Sequence, residues 1–339
     1  MTDPSVLIVV MCAVVALVVA TASPVVFVPL LERLGMIDVP NHRSSHSRPT
    51  IRGLGLAPLA GIVVGLVVFA VVHREPGPIP MLLAAVVVLF GGLGFVEDVR
   101  GVPVAVRAGL QLVLSIAACG AVIFAYGAHW GWLVLCAFFM AGYVNVANFM
   151  DGVNGISGFH GNVVGLYFAV LGVVIQSLPL TAAGLIIAFA FAGFLPWNLS
   201  ATPRFLGDVG SYVLGAASAV VAVIVFITEG SAVVALAPLA IYLADAGFTL
   251  IRRIIRGEKW YEAHRSHVYQ RLTDRGMSHV RSAGAVAVFS IATGAIGLAA
   301  ASTGTGARAI AALAIIGVCG VYLSLPTLLG QRILMSGRS

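Results

Sequence analysis

Oxygen-bearing side chains recur at every third residue in one Gly-rich stretch of the sequence. Asn148, Asp151 and Asn154 are spaced in this way, and a glycine follows both Asp151 and Asn154. On a helix, residues three apart lie on the same side, and glycines let the backbone turn and a ligand approach closely. Such oxygens suit Mg²⁺, which usually binds together with substrate phosphates. The stretch therefore indicates a cation site, with a Gly-rich turn that satisfies its own backbone groups as the alternative.

Four further acidic residues could take part in the same chemistry. Asp208 lies between Gly207 and Gly210 at the predicted start of a helix, where a carboxylate can hold a metal or cap the helix. The adjacent pair Glu97 and Asp98 could supply a base or a metal contact, or form a cap paired with a neighbouring arginine. Asp245 lies inside an apolar run, and an ionisable residue at membrane depth is a functional candidate.

Basic and imidazole side chains are concentrated in two segments. His264 and His267 lie three residues apart on a predicted helix in the segment 252–282, which also carries Arg265. Cations and imidazoles of this kind suit a diphosphate, and they suit lipid headgroups equally well. The shorter segment 40–55, with Arg48 and Thr50, resembles a generic basic loop ahead of an apolar helix.

The composition places these residues in a membrane protein. Of the 339 residues, 60% are hydrophobic and only 9% are charged, against about 25% charged in an ordinary soluble protein. Such a chain has too much apolar surface for a soluble enzyme, and too little charge for a disordered chain or a nucleic-acid-binding module. The apolar runs are long and unbroken, as in membrane helices, and lack the alternation of a membrane barrel.

The apolar runs predict an all-α polytopic protein with ten or eleven transmembrane helices and one catalytic domain over 1–339. The predicted spans are 5–31, 54–72, 80–96, 104–125, 130–147, 159–176, 180–197, 210–227, 232–251, 283–300 and 309–328.

The distribution of positive charge predicts the orientation of these spans. Every Lys and Arg except Arg74 and Arg308 lies on one side of the membrane, and such an excess marks the cytoplasmic side. The N-terminus is therefore expected outside and the C-terminus in the cytoplasm. The acidic motifs fall on the cytoplasmic side as well, in or beside the predicted loops. Those loops are 32–53, 97–103, 148–158, 198–209 and 252–282.

These motifs resemble a known family of membrane enzymes. The runs Asn148-Phe-Met-Asp151-Gly-Val-Asn-Gly, Gly207-Asp208-Val-Gly-Ser and Glu262-Ala-His264-Arg-Ser-His267 are similar to those of the polyprenyl-phosphate N-acetylhexosamine-1-phosphate transferases. The His-Arg-Ser-His form resembles the O-antigen and cell-surface polysaccharide branch more than the related phospho-N-acetylmuramoyl-pentapeptide-transferase branch.

The resemblance implies roles for individual residues. Asn148 and Asp208 match the positions that bind Mg²⁺, for which Mn²⁺ is an expected substitute. Asp151 matches a catalytic acid near that ion, and Asp98 matches an acid that deprotonates or positions the lipid phosphate. The substrate-binding positions that the resemblance implies are Glu97, Asn198, His264, Arg265, His267, Arg48 and Thr50.

The sequence departs from the family pattern at three places. Glu97 replaces the first Asp of an acidic pair, Asn154 replaces a common second Asp, and Arg265 stands where some members have another His. Asn154 is an uncharged amide and cannot be an anionic ligand, so it receives no catalytic role.

The resemblance implies Mg²⁺-dependent transfer of N-acetylhexosamine-1-phosphate from a UDP-sugar to undecaprenyl or another polyprenyl phosphate, with release of UMP. The expected partners are these two substrates and membrane lipids. No nucleic acid is expected as a partner, and the protein could form a homodimer. The expected location is the inner or plasma membrane, with the active site facing the cytoplasm. A polytopic secondary transporter is the main alternative, and a CDP-alcohol phosphotransferase and a non-catalytic scaffold are two others.

Overall fold

The computed structural model describes residues 4–40, 49–259 and 265–336. Its α-helices are α1 (Pro4–Ala22), α2 (Pro24–Arg33), α3 (Leu56–Val72), α4 (Ile79–Arg100), α5 (Val104–Tyr126), α6 (Leu133–Met150), α7 (Ile156–Val174), α8 (Leu178–Asn198), α9 (Gly207–Glu229), α10 (Ala232–Leu236), α11 (Ala240–Ile255), α12 (Val268–Thr273), α13 (His279–Ala300) and α14 (Thr305–Ser336). Two short strands, β1 (Ile37–Asp38) and β2 (Thr50–Ile51), pair in antiparallel fashion.

The predicted all-α polytopic architecture is confirmed. Within the described ranges, ten helical segments are long and apolar enough to cross a membrane, and α3 is a shorter apolar helix of 17 residues. All eleven predicted spans therefore correspond to helical segments. Each run remains helical because a helix satisfies its own backbone groups, as a bilayer requires.

Two predicted spans are interrupted in the structure. The first divides at Ser23, where α1 gives way to α2 with Pro24 as its first residue. The span predicted at 232–251 begins as α10, passes through a 3₁₀ turn at Ala237–Leu239, and continues as α11. A proline lies at each break, Pro24 and Pro238, and its ring and missing N–H disfavour a regular helix there.

Several expected loops are shorter than predicted, because the helices extend into them. Glu97 and Asp98 lie in the last turns of α4 rather than in a loop at 97–103. Asn148 belongs to α6, whereas Asp151 is the residue that ends this helix. Asn154 follows in the turn before α7. The three residues therefore do not lie on one face of a single helix, since only Asn148 is helical.

The segment that contains the strands connects two helix starts. The backbone N–H groups of Leu54 and Gly55 donate to the carbonyls of Phe205 and Leu206, at 3.0 and 2.8 Å. The N–H of Phe205 in turn donates to the carbonyl of Ile51, at 2.9 Å. The chain before α3 is thereby bound to the chain before α9.

Helix α9 is the buried centre of the bundle, and small residues let its neighbours approach it. A Cβ atom on Gly94 of α4 would overlap the backbone of Asp208. A Cβ on Gly215 of α9 would lie 2.6 Å from the Cα of Val144 in α6. Close approach through small residues is typical of membrane helix packing. It brings the ends of α4 and α6 beside the start of α9.

Candidate active site

Asp208 is held by side chains from two helices. It lies in the first turn of α9, where the helix dipole favours a carboxylate. The side-chain amide of Asn148, from the end of α6, donates to its Oδ1 at 2.6 Å and to Ser211 Oγ at 3.0 Å. The two residues predicted to bind Mg²⁺ are therefore direct neighbours, although 60 positions apart in the sequence.

Asp98 binds the same end of α9. Its Oδ2 accepts a hydrogen bond from the backbone N–H of Val209 at 3.0 Å, and the residue is only 4% exposed. Arg52, which follows β2, donates to the backbone carbonyl of Asp98 at 2.8 Å. The Nε atom of Arg52 also lies 3.9 Å from Asp98 Oδ1. Asp98 thus binds the residue that follows Asp208, and both carboxylates lie at the start of α9.

Glu97 extends this acidic group towards α5. One of its carboxylate oxygens lies 3.1 Å from Arg107 Nη1. Its Oε2 atom is buried and has no hydrogen-bond partner among the residues that the structure describes. Burying a carboxylate oxygen without a hydrogen bond raises the free energy of the folded state. This oxygen therefore marks a place where a further hydrogen-bond donor or a cation fits.

Asp151 is tethered from its own side of the site. Ser157 Oγ, in the first turns of α7, donates to its Oδ1 at 2.6 Å. Burial raises the pKa of Asp151 to about 7, the hydrogen bond from Ser157 opposes that rise, and the nearby charge of Asp208 adds to it. Asp151 is therefore close enough to Asp208 for their charges to interact.

The donor set fits Mg²⁺ rather than a softer metal. Its members are carboxylate and amide oxygens, which Mg²⁺ prefers. Within the described ranges, no three His, Cys, Asp or Glu side chains form a complete metal cage. Mg²⁺ does not require one, since it keeps several waters and takes one or two carboxylates together with substrate phosphates. Asp208 and the amide of Asn148 could supply that part.

Two predicted substrate-binding residues support the loops around the site. Asn198 Oδ1 accepts from the N–H of Gly155 at 2.6 Å, and its amide donates to the carbonyl of Arg204 at 2.9 Å. Asn198 thereby joins the turn before α7 to the segment before α9. Thr50 is buried in β2, opposite Asp38.

The part of the segment 252–282 that carries His267, here called the histidine segment and described over residues 265–273, lies between α11 and α13. His267 is the residue that precedes α12 rather than a member of a helix, which corrects the expectation of a helical His264–His267 pair. Arg265 forms an ion pair with Asp274 at 3.1 Å. Arg48 and His264 lie outside the described residues.

Tyr269 anchors this segment against the turn that contains Asp151. Its hydroxyl donates to the carbonyl of Phe149 at 3.1 Å. A Cβ atom on Gly152 would overlap that hydroxyl, so glycine is needed there. The ring of His267 stacks on Tyr269, with centroids 5.8 Å apart. His267 is therefore linked through Tyr269 to the turn that contains Asp151.

The sequence analysis assigned no role in the site to several residues that support it. Arg107 counted only as a topological charge, and Arg52 only as a member of the loop 48–53 that the resemblance places near the nucleotide-sugar, although both lie against the acids. Ser211 and Ser157 lie three and six residues after Asp208 and Asp151, and this spacing was the available signal for them. Tyr269 had no signal, because its contact joins positions 120 residues apart.

The fold and the site together define a polytopic membrane protein with a carboxylate-rich centre at one end of its helix bundle. Residues 80–226 match the sequence profile of Glycosyl transferase family 4. This range contains α4 to α8 and most of α9, with all four acids of the site.

Curated proteins of the same kind are similar over most of the chain. A Bacillus subtilis (strain 168) protein named "Probable undecaprenyl-phosphate N-acetylglucosaminyl 1-phosphate transferase" is 25% identical, covering 78% of each chain. A phospho-N-acetylmuramoyl-pentapeptide-transferase of Staphylococcus haemolyticus (strain JCSC1435) is 25% identical over 62% of this chain and 74% of its own. A decaprenyl-phosphate N-acetylglucosaminephosphotransferase of Mycobacterium tuberculosis (strain CDC 1551 / Oshkosh) is 24% identical, over 74% and 72% respectively.

The chain is similar to Glycosyl transferase family 4 over residues 80–226, and this match together with the named relatives indicates a membrane-embedded sugar-phosphate transferase. The family resemblance of the sequence motifs is thereby confirmed, and so is the expectation of an enzyme. The assignment favours an enzyme over the transporter alternative.

Proposed function

We propose that this protein transfers N-acetylhexosamine-1-phosphate from a UDP-sugar to undecaprenyl or another polyprenyl phosphate, with release of UMP. One observation carries the proposal: Asn148 and Asp208 are in contact, with Asp98 and Asp151 beside them, at one end of an apolar helix bundle. A lipid phosphate and a water-soluble nucleotide can meet only at such a membrane boundary.

The reaction is a displacement at phosphorus. An oxygen of the lipid phosphate bonds to the β-phosphorus of the donor. The bond from that phosphorus to the bridging oxygen breaks, and UMP leaves with the oxygen. Asp208 and Asn148 would hold Mg²⁺, which when bound neutralises diphosphate charge and stabilises the leaving group.

The other side chains orient the substrates and balance their charge. Asp98 is fixed by Val209 N–H and faces the start of α9, where it can take a proton from the lipid phosphate or orient it. Arg52 and Arg107 reduce the repulsion between the acids and incoming phosphates. His267, which stacks on Tyr269 beside the Asp151 turn, would contribute to the pocket for the donor diphosphate in this proposal.

The site faces the cytoplasm in this proposal, and the membrane is the inner or plasma membrane. The positive charges favour this orientation, because Arg52, Arg107 and the arginines after α11 all lie at the end of the bundle that carries the acids. A site with this orientation would take its water-soluble nucleotide sugar from the cytoplasm.

Turnover by purified protein tests the proposal. The protein in detergent is incubated with undecaprenyl phosphate, Mg²⁺ and either UDP-N-acetylglucosamine or another UDP-N-acetylhexosamine. UMP release and the mass of the lipid product are then measured. The names of two relatives make UDP-N-acetylglucosamine the first donor to test. EDTA is expected to stop the reaction and excess Mg²⁺ to restore it. Failure of every donor to yield UMP would contradict the proposal.

Replacement of Asp208 tests the assignment of the site. Asp208→Asn is expected to lower kcat by about 1000-fold or more, because it removes the negative charge that would hold the cation. Glu229→Gln is the matched control, since Glu229 ends the same helix at the opposite side of the bundle. The control is expected to keep wild-type turnover. An Asp208→Asn variant with full activity would refute the metal assignment.

A further inference from the structure

Four arginines near the histidine segment carry charges that the proposed reaction does not use. Arg252 and Arg256 are spaced i, i+4 at the end of α11. Arg271 and Arg275 have the same spacing, in the last turn of α12 and in the turn that follows it. Side chains with this spacing are neighbours, and like charges then repel each other. These four residues are here called the arginine patch.

The two pairs of arginines meet at one corner of the bundle. Arg252 Nη2 donates to the carbonyl of Ser266 at 3.0 Å, which joins the end of α11 to the histidine segment. Arg275 Nη1 donates to the carbonyl of Arg271 at 3.3 Å. Burial lowers the pKa of Arg271, and the charges of Arg252, Arg275 and Arg256 lower it further. Arg271 therefore lies within electrostatic range of the other three arginines.

Within the described ranges, no acid forms an ion pair with the arginine patch. The acids of this region are engaged elsewhere: Asp245 by Val268 and Tyr322, Glu258 by Arg253, and Asp274 by Arg265. A guanidinium group has five N–H donors, and most donors of the patch make no hydrogen bond to a described residue. An anion with acceptor oxygens would relieve the repulsion and occupy these donors.

The surface beside the arginine patch is apolar. Ile251, Ile254 and Ile255 of α11 are more than half exposed, and Ile255 is 80% exposed. The Cζ atom of Arg252 lies 5.9 Å from the centroid of the Phe248 ring, which is exposed as well. Since α11 ends a segment long and apolar enough to cross a membrane, these side chains suit acyl chains and the arginines suit headgroups. Cations at such a boundary attract anionic lipids.

We propose that the arginine patch binds the phosphate of an anionic phospholipid and thereby fastens the end of α11 to the histidine segment. A phosphodiester offers only acceptor oxygens, which match the guanidinium donors. The phosphate bridges the two pairs of arginines, and the acyl chains lie against the exposed isoleucines of α11. This binding does not depend on the reaction proposed above.

Lipid binding by the purified protein tests the proposal. The protein in neutral detergent is titrated with dioleoylphosphatidylglycerol, dioleoylphosphatidylcholine or undecaprenyl phosphate, and bound lipids are counted by native mass spectrometry. The wild type should prefer phosphatidylglycerol to phosphatidylcholine. Arg256→Gln combined with Arg271→Gln removes one cation from each pair and should weaken phosphatidylglycerol binding by about 10- to 30-fold. Both side chains are at least partly exposed, so the fold should persist.

Arg33→Gln is the matched control, since Arg33 is an exposed arginine at the end of α2, on the same predicted side of the membrane. It is expected to keep phosphatidylglycerol binding within about twofold of wild type. An equal loss in the control, or unchanged binding in the double variant, would overturn the proposal. A double variant that loses only undecaprenyl phosphate would assign the patch to the lipid substrate and would overturn it as well.

Hydrogen exchange tests whether the lipid fastens the histidine segment. In phosphatidylcholine nanodiscs, added phosphatidylglycerol should slow amide exchange in this segment by at least about threefold, and the double variant should lose this effect. Unchanged exchange in the wild type would show that the lipid fastens nothing. Neither measurement needs turnover, so a protein that releases no UMP would contradict the proposed function alone.

Discussion

At the scale of the residue, hydrogen-bond donors from other residues hold the carboxylates of the site in place. Asp208 is held by Asn148, Asp98 by Val209 and Arg52, and Asp151 by Ser157. These donors fix the geometry of the carboxylates without neutralising all of them. A surplus of fixed negative charge at a partly closed site favours a divalent cation that also binds phosphates.

Asp151 predicts a dependence of stability on pH in the metal-free protein. Its pKa is raised from 3.8 to about 7, mainly by burial, so the folded state binds the proton more tightly than the unfolded chain. This contribution is fully present below about pH 4 and is lost as the pH rises through 7. Asp151→Asn should remove it, with an effect on the order of 1 kcal/mol or more. Thermal unfolding with EDTA between pH 5 and 8 measures this, and an unchanged slope in Asp151→Asn would contradict it.

At the scale of the element, the site depends on how closely three helices approach. Gly94 places α4 directly against the first turn of α9, and Gly215 does the same for α6. Asp98 and Asn148 reach Asp208 only because these contacts allow no side chain between the backbones. The loops contribute less than the sequence suggested, since Glu97, Asp98, Asn148 and Asp208 all lie in helical turns.

Replacement of one glycine should separate the acids. In Gly94→Ala, the new methyl group would overlap the backbone of Asp208 and push α4 away from α9. Overpacking of this kind costs about 1–3 kcal/mol, and turnover should fall by at least about tenfold as Asp98 moves. Gly92→Ala, on the same helix with nothing within 4 Å, is the control and should keep turnover and stability. If Gly94→Ala and Gly92→Ala have the same turnover and stability, the close packing of α4 on α9 does not control the position of Asp98.

A second glycine tests the contact between the histidine segment and the Asp151 turn. Gly152→Ala would collide with the Tyr269 hydroxyl and displace α12. Turnover is expected to fall by about tenfold or more, since His267 moves with Tyr269. Tyr269→Phe removes the colliding oxygen, so the double variant should recover part of the lost activity. Absence of any recovery would show that the collision is not the cause of the defect.

At the scale of the whole molecule, the bundle has two different ends. The acids, the strand pair and α12 share one end, and the connections at 127–132 and 301–304 lie at the other. A membrane enzyme with this division can keep a lipid tail among its helices and a polar headgroup at its charged end. The apolar surface of α5 and α14, exposed in the isolated chain, suits contact with lipid.

The orientation can be measured with single cysteines. In a background without the four native cysteines, Ala201→Cys lies in the segment before α9 and Ser302→Cys in the connection between α13 and α14, and both positions are exposed. A membrane-impermeant maleimide on intact cells should label position 302 and should reach position 201 only after permeabilisation. The reverse pattern would show that the acids face outward.

The sequence by itself determined the architecture and the chemical types of the site. The backbone of an unbroken apolar run can be satisfied in a bilayer only as a helix, so the ten long helices found in the described ranges, and α3, follow from composition and length. The motifs around Asp151 and Asp208 also carried the resemblance to the family, because they hold unusual combinations of residues within a few positions.

Only the tertiary structure decided how these residues meet. The contacts between Asn148 and Asp208, between Asp98 and Val209, and between His267 and Asp245 join distant segments. They depend on helix packing through glycines such as Gly94, and a sequence pattern does not encode the distance between two helices. Asp245 shows this difference well. Its position in an apolar run marked it as unusual in the sequence. Its hydrogen-bond partners Val268 and Tyr322 are identified only by the packing of α11, α12 and α14.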